Sequence, residues 1–140
     1  MTDTSVGDSL HQLMHAYRRR LRQAYADTQL NLTVSHIRTL KAIRSQAPCT
    51  AQHISQYTQR DKAQITRLLR DLFDADIIAR SPHPEDRRSQ LLSLTDRGRS
   101  VLAQVDGCER DAHARLSEGM TQEDLDAFLR LSRLMISNLN

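Results

Sequence analysis

The sequence predicts a mainly α fold (α+β class) with six helices and one two-stranded β-hairpin, and three observations support this prediction. The 140 residues include only four glycines and three prolines, so long helices can form. Apolar residues recur at spacings of three and four along most of the chain. The exception is 77–94, where Pro82 and Pro84 disfavour a helix and two short apolar segments flank a charged tip.

The first half of the chain contains three predicted helices. Residues 6–29 carry one apolar stripe, formed by Val6, Leu10, Leu13, Met14, Tyr17, Leu21, Ala24 and Tyr25. Thr33 stands where an N-cap would begin a second helix, which we expect to end near Pro48. Thr50 has the same position before a short third helix, 51–57. Its inward residues are predicted to be Ala51, Ile54 and Tyr57.

The fourth predicted helix, about 61–75, has one apolar and one polar face. Asp61 and Gln64 have the spacing of a capping box at its start. The apolar face is formed by Ile65, Leu68, Leu69, Leu72 and Phe73. The opposite face and its flanks hold Lys62, Ala63, Gln64, Thr66, Arg67 and Arg70. This helix therefore presents a basic and polar surface to solvent.

Two more helices follow the hairpin. Thr95 is expected to cap the fifth, whose apolar residues are Val101, Leu102, Val105, Ala112 and Leu116. Thr121 and Asp124 open the sixth, which carries Leu125, Phe128, Leu129, Leu131, Leu134, Met135 and Ile136. The central helices and the hairpin can form a core that leaves the stripes of the first and last helices uncovered. Pairing with a second copy is the simplest way to bury them.

Composition bounds the class of protein. A length of 140 residues predicts a single domain, 1–140, and 39% hydrophobic with 26% charged residues predicts a folded soluble protein. No apolar run approaches the roughly 18 residues of a membrane span, and the first residues lack the features of a secretory signal, so we expect a cytoplasmic protein. No GxSxG, P-loop or HExxH motif is present. An enzyme is therefore not expected.

The charge is distributed unevenly. Residues 1–59 hold seven basic and three acidic side chains, whereas residues 100–140 hold four and seven. Only Lys41 and Lys62 are lysines, and the other eighteen basic residues are arginines. The planar guanidinium suits phosphates and guanine edges, so this bias favours a nucleic-acid partner, although a GC-rich genome alone would also raise arginine content.

The fourth helix followed by a hairpin with a basic tip is the arrangement of a winged helix-turn-helix, which binds double-stranded DNA. The major groove admits an α-helix, so Gln64 is suited to adenine, Arg67 to guanine and Thr66 to a thymine methyl group. Lys62 and Arg70 are suited to phosphates. Without the hairpin, a solvated outer face would be the simpler interpretation of this helix.

The hairpin tip adds a second contact. Arg88 is expected to enter the minor groove, where the negative potential is strongest, and Arg87 to reach a flanking phosphate. The simpler alternative is an exposed hairpin salt bridge worth about 0–1 kcal/mol. The combination with the basic fourth helix favours DNA contact.

Three motifs in this order resemble the MarR family of bacterial winged-helix regulators. They are Asp61-Lys62-Ala63-Gln64-Ile65-Thr66-Arg67, Asp86-Arg87-Arg88 and Leu94-Thr95-Asp96-Arg97-Gly98-Arg99. The family typically has an acid two residues before a wing-tip arginine, then Leu-Thr, then Gly-Arg opening a long helix. The order and length of the elements extend the resemblance to residues 10–138. Asp76 departs from the usual glycine, but aspartate tolerates a left-handed conformation.

The resemblance implies a homodimeric repressor in which Asp86 pairs with Arg88 and holds it in position. Residues 33–95 would be the DNA-binding lobe, and 6–29 with 96–138 the dimerisation region. Two reading helices about one turn of DNA apart predict a pseudo-palindromic operator. The resemblance also implies a small aromatic or lipophilic effector between the two regions, although the 4% aromatic content leaves few rings to stack on it. The crevice would be lined by Tyr17, Leu21, His36, Leu40 and Arg44.

Other modes of regulation stay open on the sequence alone. A redox-responsive regulator would use Cys49 or Cys108, although two inert thiols are the simpler interpretation. A metal-responsive one would use His11 and His15, or a set drawn from His36, Cys108, Glu109 and His113. No zinc motif is present, so no metal or other cofactor is expected. A further alternative keeps the winged fold as a protein-interaction module without DNA binding.

Overall fold

A computed structural model describes residues 5–28 and 30–140 and has the predicted order of elements. The helices and strands are α1 (Val6–Ala26), α2 (Val34–Gln46), α3 (Ala51–Thr58), α4 (Lys62–Asp74), β1 (Ile78–Pro82), β2 (Gln90–Leu94), α5 (Asp96–Leu116) and α6 (Gln122–Leu139). The predicted class, mainly helical with one antiparallel hairpin, is confirmed. The first helix ends at Ala26, three residues before its predicted end, which lies outside the described residues.

Side-chain caps fix where the helices begin. Thr33, Thr50, Thr95 and Thr121 each accept a hydrogen bond from the backbone N–H three residues along, as predicted. Asp61 instead accepts from the Ala63 N–H at 3.1 Å, two residues along. Each cap satisfies a backbone donor that the first turn leaves without a partner.

The core lies where α2, α3, α4 and the hairpin meet, with the buried faces of α5 and of the end of α1 packed against them. Ile37, Leu40, Ile43, Ile54 and Leu72 are all but inaccessible to solvent. Burial of each such side chain stabilises the fold by roughly 1.5–3 kcal/mol.

The predicted inward face of α3 was wrong at two positions. Ala51 is exposed and Tyr57 is 53% exposed, whereas Ile54 is buried. A helix of eight residues makes little more than two turns, and one central side chain is enough to anchor it.

The hairpin is tied to the helical body through the middle of its second strand. The strands pair antiparallel from Ile78 opposite Leu94 to Pro82 opposite Gln90. The Leu92 N–H also donates to the Cys49 carbonyl at 2.7 Å, which fastens the second strand to the segment before α3.

The turn into the hairpin and the start of α5 are packed together. Asp76 has φ of 60°, so the expected left-handed turn is present. Gly98 lies against the Ile77 carbonyl, and a Cβ at this position would overlap that oxygen. The Thr95 N–H donates to the same carbonyl at 3.1 Å, and the Thr95 hydroxyl donates to the Asp76 carbonyl at 2.7 Å. These contacts fix where the hairpin leaves the helical body.

The terminal helices have a different character. No residue of α6 is buried, and large apolar side chains are exposed along α1, α6, the end of α5 and the segment that joins α5 to α6. They are Val6, Leu10, Leu13, Met14, Leu116, Met120, Phe128, Leu129, Leu131, Leu134, Met135, Ile136 and Leu139. Within the described ranges, no helix combines the length and the apolarity that crossing a membrane requires.

Candidate nucleic-acid interface

The turn between α3 and α4 sets the angle of the fourth helix. Gln59 adopts a left-handed conformation with φ of 54°, and the Arg60 N–H donates to the Ser55 carbonyl at 3.1 Å. Ser55 Oγ returns a bond to the Arg60 carbonyl at 2.7 Å. The Arg60 guanidinium donates to Ser35 Oγ at 3.1 Å, which fastens the turn to α2. This is the compact turn of a helix-turn-helix.

The outer face of α4 holds the predicted reading residues. Ile65, Leu69 and Leu72 are buried on the inner face. Lys62, Gln64, Thr66, Arg67 and Arg70 are all exposed on the outer face or its flanks. The Thr66 hydroxyl donates to the Lys62 carbonyl at 2.9 Å, so this side chain offers a ligand its methyl group and an acceptor oxygen, but no donor hydrogen.

Asp86 organises the wing tip through the backbone. Its Oδ1 accepts from the Arg88 N–H and its Oδ2 from Ser89 Oγ, each at 3.0 Å. The Arg88 backbone bond, and then the Ser89 hydroxyl, hold the pKa of Asp86 below its ordinary value. The carboxylate therefore fixes the chain at Arg88, whereas the resemblance implied a pairing that holds the Arg88 side chain.

His83 is a second organiser of the tip that sequence reasoning did not assign. Its Nδ1 accepts from the N–H groups of Glu85 and Asp86, each at 3.1 Å. A polar side chain placed two and three residues before such donors at a turn is the local signal that would have identified it. His83 and Asp86 thus fix the backbone of the tip, and the side chains of Arg87 and Arg88, which follow them, are exposed.

A groove of about 590 Å³ separates α4 from the wing. Among the residues that the structure describes, five cationic side chains line it, namely Lys62, Arg70, Arg80, Arg87 and Arg88, and no carboxylate does. Thr66 on α4 and the first residues of α3 lie along the same groove. The structure therefore brings five of the eight predicted DNA-binding residues to one groove, while Gln64 and Arg67 lie on the outer side of α4.

A separate crevice of about 450 Å³ lies between α1, α2 and α5. Tyr17 and Leu21 line it, as the resemblance implied. Tyr17 Oη lies 3.0 Å from His113 Nε2, and burial raises the pKa of Tyr17. The other polar side chains of this crevice include Tyr25, Arg38, Lys41, Glu109 and His113.

The structure does not bring the other three expected lining residues to this crevice. Leu40 is fully buried in the core. His36 accepts from the Thr33 N–H through Nδ1 and meets Asp71 at 2.8 Å through Nε2, so its ring serves helix capping and α4. Arg44 forms two hydrogen bonds with Asp106, at 2.8 and 3.3 Å. Leu40 therefore packs in the core, and His36 and Arg44 bind carboxylates outside the crevice.

The floor of the crevice is a buried polar network. The Glu109 carboxylate accepts from Tyr25 Oη at 2.5 Å and from the Lys41 ammonium group. Burial, and then the Glu109 bond, raises the pKa of Tyr25 strongly. The network joins α1, α2 and α5. Glu109 lies four residues after Val105 and three before Ala112, so its place on the buried face of α5 could have been read from the sequence.

The structure bears on the metal and redox alternatives through the grouping of possible ligands and the burial of Cys49. Among the residues that the structure describes, no three His, Cys, Asp or Glu side chains are grouped so as to hold a metal ion. Cys49 is buried, and this burial raises the pKa of its thiol. A buried thiol with a raised pKa is a poor nucleophile.

Sequence comparison finds similarity between this chain and bacterial regulators. The MarR family model matches residues 32–90. The HTH-type transcriptional repressor NicR of Pseudomonas putida is 29% identical over 131 residues, which cover 91% of this chain and 82% of NicR. The multiple antibiotic resistance protein MarR of Escherichia coli is 27% identical over 97 residues, which cover 69% of this chain and 67% of that protein.

Solved structures show the same fold. A mutant of the E. coli MarR protein in complex with operator DNA has a TM-score of 0.83 at 23% identity, covering 93% of this chain and 92% of that one. BpsR of Bordetella bronchiseptica has a TM-score of 0.81 at 24% identity, covering 94% and 92%. The matched model spans the helix-turn-helix and most of the wing, and the similarity of fold extends over both terminal helices. Residues 32–90 thus match the MarR family model, and the whole chain has a fold similar to that of the solved MarR structures.

Proposed function

We propose that this protein is a cytoplasmic homodimeric repressor that binds a pseudo-palindromic operator in double-stranded DNA and is released by a small aromatic or lipophilic effector. The observation that carries the proposal is the shared placement of two exposed basic elements, the outer face of α4 and the wing tip, on the lobe formed by 33–95. A winged helix-turn-helix uses these two elements for the major and the minor groove.

The exposed side chains divide into reading and positioning groups. Gln64 and Arg67 suit adenine and guanine edges, and the Thr66 methyl group suits thymine, because its hydroxyl hydrogen is used within the helix. Lys62 and Arg70 suit phosphates, which fix the register without reading bases.

The wing contributes its own pair of contacts. Arg88 enters the minor groove and Arg87 holds a flanking phosphate. Asp86 supports both by fixing the backbone at Arg88, since its two oxygens accept from the Arg88 N–H and from Ser89 Oγ.

The terminal helices, 6–29 and 96–138, form the dimerisation region in this proposal. Phe128 and Leu131 are 51% and 42% exposed, and α6 has no buried residue. An uncovered apolar surface of this extent in a soluble protein is typical of an interface. A two-fold axis through this region would present two copies of α4 to half-sites roughly 10 bp apart.

The effector is proposed to bind in the crevice of about 450 Å³ between the two regions. The crevice offers the rings of Tyr17 and Tyr25 beside the cations Arg38 and Lys41. The DNA binding of BpsR is regulated by 6-hydroxynicotinic acid, a small aromatic acid. An effector would release DNA by changing the spacing of the two reading helices, because the crevice lies between α2 of one lobe and α1 and α5 of the other region.

The test is a titration of the purified protein against DNA from upstream of its own coding sequence, over a series of salt concentrations. Nanomolar, salt-steep binding to one palindromic segment supports the proposal. Equally weak binding to that segment and to a scrambled duplex contradicts autoregulation at this site. The same result with duplexes covering the neighbouring promoters contradicts operator binding and favours a protein-interaction module.

A further inference from the structure

We propose that the groove between α4 and the wing seats one sugar-phosphate strand of DNA, and that Arg80, held on the ring of Phe73, clamps a phosphate of that strand. This inference rests on the proposed function, because it adds a residue and a mechanism to the same DNA surface. Arg80 is on β1, outside both the reading helix and the wing tip.

The groove has the position that a DNA strand requires. When α4 lies in a major groove and the wing tip in the adjacent minor groove, the backbone that separates these grooves must pass between them. Within the described part of the chain, the space between the two elements is lined by cations from both sides and by no carboxylate. A DNA strand carries one phosphate roughly every 3.4 Å of helix axis, so such a groove meets at least one phosphate.

Arg80 is held in place before any ligand arrives. Its guanidinium carbon lies 3.8 Å from the centroid of the Phe73 ring. Its Nη1 donates to Gln90 Oε1 at 3.4 Å, across the strand pair. A guanidinium stacked on a ring and tied at one nitrogen has lost much of its rotamer freedom, so ordering it on a phosphate costs little further entropy. The side chain is nevertheless exposed, and the remaining N–H groups are available to an anion.

Phe73 acts in this proposal as a positioning residue for Arg80. It lies on α4, the helix that carries Gln64 and Arg67, while Arg80 lies on the first strand of the wing. The stack therefore joins the reading helix to the wing. Because both elements must enter neighbouring grooves of one duplex, a fixed spacing between them favours the correct register on DNA.

Arg80→Gln tests the clamp, and Arg110→Gln is its matched control. Arg110 is an exposed arginine of α5 that lines a different cleft, with Asp27 and Cys108. Affinity for operator and for scrambled duplex is measured by fluorescence anisotropy at several salt concentrations. Arg80→Gln is expected to weaken both by about 5–10-fold near roughly 0.15 M salt and to lower the salt slope by about 0.9 per bound protomer. The ratio between the two affinities stays unchanged, since phosphates carry no sequence.

Phe73→Leu tests the positioning role with every charge retained. We expect an unchanged salt slope and a several-fold lower affinity for operator relative to scrambled duplex. Arg80→Lys keeps the charge without the planar stack and should preserve the slope with a smaller loss of affinity. Urea denaturation of each variant shows whether the fold is intact, and a variant with a lowered midpoint is replaced by Arg80→Met or Phe73→Met.

The outcomes separate this inference from the function on which it rests. If the wild-type protein has neither salt-dependent nor sequence-dependent binding, the proposed function fails and the clamp fails with it. If the wild type binds an operator and Arg80→Gln has the same slope and affinity as Arg110→Gln, the clamp alone is overturned. An unchanged operator preference in Phe73→Leu overturns the positioning role and leaves the phosphate contact standing.

Discussion

The lobe of residues 33–95 and the terminal helices differ in how far their apolar side chains are buried. In the lobe, Leu40, Ile54 and Leu72 have no exposed surface, and the polar side chains of α4 and the wing face outward. In α6 no residue is buried, and Leu139 is 86% exposed. The apolar side chains of the lobe are buried within one chain, and the surface that remains for a partner is charged. The terminal helices leave apolar surface, so the partner that suits them is a second apolar surface.

The substitution with the largest expected effect is Phe128→Glu, which places a charge on the apolar surface of the terminal helices. A carboxylate at this position, next to Leu13 and Leu116 in an apolar cleft, would have to be buried in the proposed dimer. We expect the sedimentation mass to fall from a dimer to the 16.0 kDa monomer and operator affinity to fall by about 100-fold or more, because each lobe then binds alone.

Ser137→Glu is the control for this change, since helical periodicity puts Ser137 on the opposite side of α6 from Phe128. It adds the same charge and should leave the mass and the affinity unchanged. A wild-type mass of 16.0 kDa at micromolar concentration would contradict the role assigned to the terminal helices.

The junction between the two regions is probed by Glu109→Ala. This change removes the acceptor of Tyr25 Oη and leaves the Lys41 ammonium without its carboxylate. We expect a loss of about 2 kcal/mol in the free energy of unfolding, measured by urea denaturation. Asp111→Ala, an exposed neighbour on α5, should cost less than about 0.5 kcal/mol. Equal losses for the two variants would mean that the network does not stabilise the junction.

Arg88→Ala separates DNA binding from stability within the lobe. The side chain is exposed, so we expect the free energy of unfolding to change by less than about 0.5 kcal/mol. Operator affinity should fall by about 10–100-fold, corresponding to roughly 1–3 kcal/mol for a lost groove contact. Arg110→Ala serves as the control for charge. The hypothesis of minor-groove contact fails if the two variants bind operator with the same affinity.

The smallest expected effect is a pH dependence at the contact between Arg44 and Asp106. The Arg44 hydrogen bond holds the pKa of Asp106 below its ordinary value. The carboxylate therefore contributes stability that is complete above about pH 4 and is lost as the pH falls through its lowered pKa. The side chains are 43% and 36% exposed, so the contribution is below about 1 kcal/mol.

Asp106→Asn measures this contribution directly. The difference in free energy of unfolding between wild type and variant should be largest at about pH 7 and should decrease steadily as the pH falls below about 4. A difference that stays the same at both pH values would show that ionisation of Asp106 does not contribute.

Local signals made most of the fold predictable. Thr33, Thr50, Thr95 and Thr121 cap the helices that follow them because a cap depends on residues only three apart. The left-handed turn at Asp76 was expected from the resemblance and from the tolerance of aspartate for this conformation. The outer face of α4 followed from helical periodicity.

The features that depend on tertiary packing were less predictable. Tyr57 was expected inside and is exposed, because the length of α3 and the position of α2 decide which side is covered. His36 was assigned to the effector crevice, but it bonds Thr33 and Asp71 instead, a choice that requires α4 to be in place. Arg80 became a candidate only when the structure brought it onto Phe73, since no spacing rule links a strand to the end of the preceding helix.

The most direct test of the account is the mass of the protein–DNA complex, measured by sedimentation equilibrium on the operator duplex identified in the titration. If the lobe binds DNA and the terminal helices form the dimer, two wild-type protomers should bind each duplex. Phe128→Glu should bind as one protomer per duplex. A wild-type complex of a single protomer with one duplex, at full affinity, would contradict it.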